Sequence, residues 1–208
     1  MYPLGPFLFI YARMARMELR NIVIISGPSG AGEDSIIDGL AKHTRVNRVI
    51  TTTTREKRPG ESDGNPYYFI SKEEFEKKVA GNEFIEWAQQ YNGNLYGVTR
   101  SELERVNSLP GIGTWKIEYK GVISAKKLFP EIRAIFVMAE SLDILAERIR
   151  SRSHVTEDYI RERMDYTKEW LQHENIYDYK VINKQGHLEG AVDEVMEILK
   201  KEGYHLAQ

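Results

Sequence analysis

The chain contains no cysteine in its 208 residues. Disulfides, thiolate catalysis and cysteine-ligated zinc or iron–sulfur sites are therefore excluded, and the absence is compatible with a reducing compartment. An excess of one charge is also missing: 29 Lys and Arg stand against 31 Asp and Glu, for a formal net charge of −2. No nucleic-acid footprint is expected from that balance, although local basic clusters remain able to bind a small polyanion. The five histidines are scattered, without metal-ligand spacing. Long apolar runs are lacking too. The stretch Phe7 to Ala12 is short and has neither a basic region before it nor a small-residue cleavage pattern, so it reads as neither signal peptide nor membrane span. Repeats and low-complexity segments are absent, and the expected compartment is the cytoplasm.

What is present suffices for one sizeable core. With 41% hydrophobic and 29% charged residues, the chain reads as an N-terminal extension over 1–20, where Met14 and Met17 precede the first core strand, followed by one domain over 21–208. Asn21 to Ser26 is a continuous branched apolar run, the pattern of a parallel strand covered on both faces. A helix is predicted from about Gly32 to His43. Ala134 to Ala139 repeats the strand pattern, with Ser141 as N-cap of the next helix and Asp143 in its first turn. Gly113 to Tyr119 and Tyr179 to Asn183 supply further strands, and Leu188 to Lys201 a closing amphipathic helix. Strands alternating with helices predict an α/β fold with an open central parallel sheet flanked by helices. Between Thr51 and Thr99 the texture changes to turns, aromatics and short strands around one helix, Ser71 to Ala80, opened by a capping box of Ser71 and Glu74. This is an inserted subdomain, which leaves 21–50, 100–147 and 164–208 as the core.

The segment joining the first strand to the first helix carries chemistry. Its spacing, Gly27-x-x-x-x-Gly32, fits the nucleotide loop GxxxxGK[ST], whose backbone N–H groups and following helix N-terminus cradle phosphate oxygens. Gly27, Pro28, Ser29, Gly30, Ala31 and Gly32 form that loop, but Glu33 stands where the lysine belongs and Asp34 where the serine or threonine belongs. Two carboxylates there repel phosphates unless something compensates. A second constellation runs Thr51-Thr-Thr-Thr-Arg-Glu-Lys-Arg-Pro-Gly-Glu-Ser-Asp-Gly-Asn-Pro-Tyr-Tyr-Phe69. Arg55 and Arg58 are planar forks suited to a phosphate monoester, and Tyr67 and Tyr96 add hydroxyl donors, the alternative for both tyrosines being core packing. A third is Glu83-Phe-Ile-Glu-Trp-Ala88, followed by Leu95-Tyr-Gly97.

Together these motifs resemble the guanylate kinase family from about Arg20 onward. The resemblance implies a P-loop NTPase fold, a GMP-binding subdomain over 51–99, a lid over 148–163, ATP as co-substrate and magnesium as cofactor. It implies that Glu86 and Glu118 read guanine and that Thr51 touches the base. A guanine edge presents N1–H and an exocyclic amine, which call for a carboxylate acceptor. Arg148, Arg152 and Arg163 match lid residues that fold over the donor phosphates, although a solvated helix end is the plainer reading of that basic run. Asn183 matches the region near adenine, with capping of a strand-end turn as its alternative.

The departures are as informative. Val98 replaces a small hydroxyl residue after Tyr-Gly, which weakens guanine reading. In Trp115-Lys-Ile-Glu-Tyr-Lys-Gly121, Lys116 replaces an aspartate of the magnesium environment. The strand carrying Lys116 is expected beside the one feeding the loop. Glu33 and Lys116 then read as one charge swap: Lys116 reaches the transferring phosphate while Glu33 pairs with it or helps hold magnesium. Asp34 is the candidate magnesium ligand, and Ser35 a weaker hydroxyl candidate. The expected activity is transfer of the γ-phosphate of ATP to GMP or dGMP, with small nucleotides as the partners and neither nucleic acid nor membrane. A catalytically impaired module that binds GMP or a phospho-ligand, and a phosphosugar kinase of the ribose bisphosphate type suggested by Asp34-Ser35, are the alternatives.

Overall fold

The first strand sets the architecture. A computed structural model describes residues 17–89, 93–151 and 155–207, and in it β1 (Ile22–Ser26) has all five residues buried. Successive side chains of a strand point to opposite faces. Ile22 and Ile24 accordingly enter one hydrophobic cluster while Val23 and Ile25 enter another. A strand that feeds two cores must lie in the middle of a sheet covered on both sides, and it does.

The elements that follow are α1 (Glu33–Leu40), β2 (Val46–Arg48), β3 (Thr52–Thr53), β4 (Ser62–Asp63), β5 (Pro66–Phe69), α2 (Lys72–Ala80), β6 (Phe84–Gln89) and β7 (Leu95–Thr99). The remainder comprises α3 (Arg100–Ser108), β8 (Ile112–Trp115), α4 (Tyr119–Leu128), β9 (Arg133–Met138), α5 (Leu142–Arg150), α6 (Glu157–Leu171), a 3₁₀ turn (Glu174–Ile176), β10 (Tyr179–Ile182) and α7 (Leu188–Lys201). The main sheet is parallel, in the order β10-β9-β1-β8-β2. From β1 the chain crosses to β2 on one side, and from β8 it crosses back to β9 on the other. The carboxyl ends of β1 and β8 therefore flank a switch point, where open α/β sheets place their ligands. Residues of α1 and α7 pack in the cluster of Val23 and Ile25, and residues of α3 and α4 in that of Ile22 and Ile24.

A second sheet, β4-β5-β3-β7-β6, gathers the segment between Thr52 and Thr99. Its helix α2 starts as predicted: Glu74 N–H donates to Ser71 Oγ at 3.1 Å and Ser71 N–H donates to Glu74 Oε2 at 2.9 Å. Ser141 and Thr156 likewise cap α5 and α6, and α7 covers the predicted span.

The strand predicted over 113–119 is shorter. β8 ends at Trp115, and Glu118 becomes the residue before α4. Tyr119 leaves the sheet because its ring is buried in the first turn of α4, stacked 4.6 Å from His173. Helices α3 and α4 and the three-residue β2 had no expectation in the sequence reading. Of the N-terminal extension, residues 1–16 lie outside the described residues.

Below the loop, Ser26 Oγ donates to Ile117 O at 2.6 Å and meets the Tyr177 hydroxyl at 2.9 Å, which also accepts from Trp170 Nε1 at 2.9 Å. One polar chain thus ties β1 to the end of β8 and to α6. On the opposite flank α1 approaches α7 so closely that a Cβ at Gly39 would meet Val192 Cγ2 at 2.4 Å. A β-branched side chain in a full core cannot swing away. Gly39→Ala is expected to destabilise the fold by roughly 1–3 kcal/mol, read as a lowered Tm; an unchanged Tm would show that the seam is slack.

Candidate active site

The glycine-rich loop is held from outside by residues distant in sequence. Gly32 has φ +94, and a Cβ there would meet Asn183 Nδ2 at 2.3 Å, so only glycine fits. Asn183 is buried, and its Nδ2 donates to Ala31 O at 2.9 Å. Arg148 donates from Nη1 to Gly30 O at 3.2 Å and from Nη2 to Asn183 O at 2.9 Å. Its Nε meets Gln185 Oε1 at 2.9 Å. Arg148 was expected to fold over the donor phosphates. Here it grips the carbonyl side of the loop, next to the Asn183 amide that donates to Ala31 O. Asn183 likewise braces the loop, beside a cavity of about 500 Å³ lined by Gly30, Gly32, Ser35, Arg148 and Gln185. Arg163 stacks on Tyr159 one turn earlier on α6, with its guanidinium carbon 4.9 Å from the ring centroid. Arg152 lies outside the described residues.

The two acidic residues of the loop part company. Glu33, the first residue of α1, curls back so that its Oε2 accepts from Gly32 N–H at 3.1 Å. One amide of the anion cradle is thereby already engaged by a carboxylate. Burial pushes the Glu33 carboxyl up to about 7, against the pull of its own backbone N–H and of Lys116. Near neutral pH the loop therefore carries less negative charge than the residue type implies.

Asp34 points the other way, toward the carboxyl ends of the neighbouring strands. Lys116 Nζ donates to Asp34 Oδ2 at 2.6 Å, and Arg48 Nη1 donates to Asp34 Oδ1 at 3.0 Å. Burial would raise the Asp34 pKa, but Lys116 and Arg48 outweigh it and hold the carboxyl below its usual range. The expected Glu33–Lys116 ion pair is thus replaced by an Asp34–Lys116 pair, since Glu33 is satisfied within its own turn. β8 does pair with β1 in parallel, which is how Lys116 arrives beside the loop.

These contacts bear on magnesium. Both Asp34 oxygens are occupied by cations, and a divalent ion would have to displace them. Among the described residues no group of three or more His, Asp or Glu is arranged to hold a metal ion. Asp34 does not fit the role of magnesium ligand in this arrangement.

Across the crevice stands the second constellation. Arg55 is largely buried, with Nη2 on both oxygens of Glu61 at 2.8 and 2.9 Å. Its guanidinium carbon lies 5.5 Å from the Tyr67 ring centroid and 5.4 Å from that of Phe69. Arg58 gives its backbone N–H to Glu61 Oε2 at 2.8 Å, and the residue is exposed. Glu61 therefore orients the fork before any phosphate arrives. Tyr67 and Tyr96 meet edge to face at 5.9 Å. Burial raises the Tyr67 pKa, against the opposing pull of the Lys116 and Arg55 charges.

Glu86, on β6, and Glu118, immediately before α4, are close enough to act on one another. Burial pushes Glu86 up to about 7, and the Glu118 charge adds to it. Glu118 Oε2 accepts from the Tyr166 hydroxyl at 2.9 Å. Val98 is the ladder partner of Glu86, so its fully buried side chain stands on the same face and contributes to that dry surrounding. Next to it, a Cβ on Gly97 would strike Glu86 O at 2.7 Å. Thr51 is half-buried at the start of β3, its carbonyl accepting from Tyr68 N–H at 3.0 Å.

Sequence reasoning missed Arg48, Glu61 and Tyr166. Glu61 sits in the quoted pattern three residues after Arg58, a readable signal. For Arg48 the only signal was the pair Asp34 and Asp38 spaced one helical turn apart. Tyr166 gave none. Since the fold favours neutral Glu86, its stabilising contribution is fully present below the unfolded pKa of about 4.5 and is lost as pH rises through about 7. Glu86→Gln is therefore expected to raise the Tm of ligand-free protein by an increment that grows between pH 5 and pH 8. An increment independent of pH would show that the carboxyl titrates normally.

Comparison with known proteins agrees with this geometry. The guanylate kinase family model matches residues 19–202. The guanylate kinase of Carboxydothermus hydrogenoformans is 38% identical over 187 residues, covering 89% of this chain and 90% of that protein. That of Hydrogenovibrio crunogenus is 38% identical over 179 residues, covering 86% of each. The crystal structure of guanylate kinase from Anaplasma phagocytophilum superposes with a TM-score of 0.65 at 29% identity, over 87% of this chain and 85% of that one. With a parallel sheet, a phosphate-type loop at its switch point and relatives matched along nearly their whole length, the chain belongs to the guanylate kinase family.

Proposed function

We propose that the protein transfers the γ-phosphate of ATP to GMP or dGMP, with Lys116 replacing the missing loop lysine. The observation that carries this reading is the placement of the Lys116 ammonium, 2.6 Å from Asp34 at the N-terminus of α1. In this reading its charge, held beside the helix terminus that follows the loop, serves the terminal phosphates of a nucleotide bound there. Phosphoryl transfer needs no covalent intermediate, because the acceptor phosphate is itself the nucleophile and the protein supplies position and positive charge.

In this scheme Arg55, Arg58, Tyr67 and Tyr96 hold the acceptor phosphate, and Glu86, Glu118 and Thr51 read the base. Gly27 to Gly32, with Ser35, cradle the donor, and the cavity beside Asn183 receives its base. Lys116 offsets the charge that spreads over the moving group, joined on closure by Arg163 and Arg152. Arg148 keeps the loop in shape. Glu33 is compatible with donor binding in its neutral form, in which it no longer repels phosphate.

One observation favours a second reading, that of a module which binds GMP without turnover: the Glu33 carboxylate already occupies Gly32 N–H. An ADP-release assay with GMP, dGMP and ribose 1,5-bisphosphate as acceptors separates the readings. Release with GMP or dGMP supports the kinase. GMP binding without release supports the module, and release with the sugar alone would overturn both. In the active protein, Lys116→Ala is expected to lower kcat by at least about a hundredfold, with GMP affinity by calorimetry within about twofold of the parent. Unchanged turnover would remove Lys116 from the mechanism.

A further inference from the structure

We infer that Arg48 is a positioning residue of the donor-phosphate site, acting through Asp34 to leave the Lys116 ammonium available to phosphate. The inference rests on the reading of Lys116 given above. Arg48 closes β2, the strand beside β8, so the loop, Lys116 and Arg48 issue from the carboxyl ends of three adjacent strands. Its guanidinium is forked across one turn of α1: Nη1 meets Asp34 Oδ1 at 3.0 Å and Nη2 meets Asp38 Oδ1 at 2.7 Å. A planar fork suits two carboxylates at i and i+4.

The backbone under this side chain is pinned. Arg48 O accepts from Arg105 Nη2 at 3.1 Å, Val49 N–H donates to Thr114 O at 2.9 Å, and Ile50 N–H donates to the buried Glu102 at 2.8 Å. Arg105 Nη2 also donates to Glu102 Oε1, at 2.7 Å. The guanidinium is therefore delivered to one place by a rigid strand end.

Charge decides what this does. With Arg48 present, Asp34 shares its two oxygens between two cations, and Arg48, Lys116, Asp34 and Asp38 together are neutral; removing Arg48 leaves the cluster with one net negative charge. Without Arg48, Asp34 would have Lys116 as its sole cationic partner, and the ammonium would be neutralised by its own counter-ion. A plain staple between α1 and β2 is the competing account. However, the side chains of Arg48, Asp34 and Asp38 are 40%, 59% and 73% exposed, and exposed ion pairs add little to stability.

The test measures ATP affinity by calorimetry, kcat and KM with GMP, and Tm, for the parent and for Arg48→Met, Arg48→Lys, Asp38→Asn, Asp34→Asn and the Arg48→Met/Asp34→Asn double variant. Arg48→Met should weaken ATP binding about tenfold, as expected for contacting charges, and lower kcat while leaving KM for GMP unchanged. Arg48→Lys should restore most of the loss, because the charge beside Asp34 returns. In the Asp34→Asn background the effect of Arg48→Met should shrink to about twofold or less. Asp38→Asn, which frees one arm of the fork without touching Asp34, should leave ATP affinity within about twofold of the parent and, as an exposed pair, change Tm little. A loss of ATP affinity that is undiminished by Asp34→Asn, or reproduced by Asp38→Asn, would overturn the inference. Absence of turnover in the parent would instead defeat the kinase reading, with the ATP-binding arm still deciding the role of Arg48.

Discussion

Asp34 is the point on which the site turns. A nucleotide loop with acidic residues at its two chemically important positions should exclude its own ligand, yet each carboxylate is disarmed differently. Asp34 is bound between Lys116 and Arg48. Glu33 is drawn into its own turn and held where burial favours its neutral form. The positive charge lost from the loop reappears on the strand next to it, at the switch point of the sheet. Electrostatic balance near phosphates constrains the sum of charges more strongly than the identity of the residue at any one position.

A similar arrangement recurs across the crevice. Arg55 is engaged with Glu61, and Glu118 accepts from Tyr166. Internal partners of this kind fix rotamers in advance, at the cost of competing with the ligand for the same groups. The glycine-rich loop differs in being braced from behind: Asn183 and Arg148 satisfy its outward carbonyls. They shape the cradle without standing in it.

Much of this was legible in the sequence where a local rule governs. The branched run of β1, the caps at Ser71 and Ser141, and the span of α7 follow from side-chain periodicity and short hydrogen bonds. The neighbourhood of Lys116 and the loop followed from fold topology. What escaped depends on contacts between distant segments. Tyr119 looked like the end of a strand because its burial is provided by His173 and Trp170, some fifty residues later. The contacts of Arg148 with the carbonyls of Gly30 and Ala31 are likewise announced by nothing in its sequence surroundings. The partner of Lys116 was misassigned between two adjacent carboxylates, a choice made by side-chain direction at the first turn of α1, which residue spacing does not encode.

The ladder between β6 and β7 limits which substitutions the hairpin beside Glu86 can accept. Position 97 admits no side chain, since the Glu86 carbonyl and the Trp87 Cβ stand within 3 Å of where one would begin. Position 98, directly opposite Glu86, is closed to bulk but open to a change of polarity. Of these two adjacent positions, only residue 98 can exchange its side chain while the hairpin backbone beside Glu86 stays as it is.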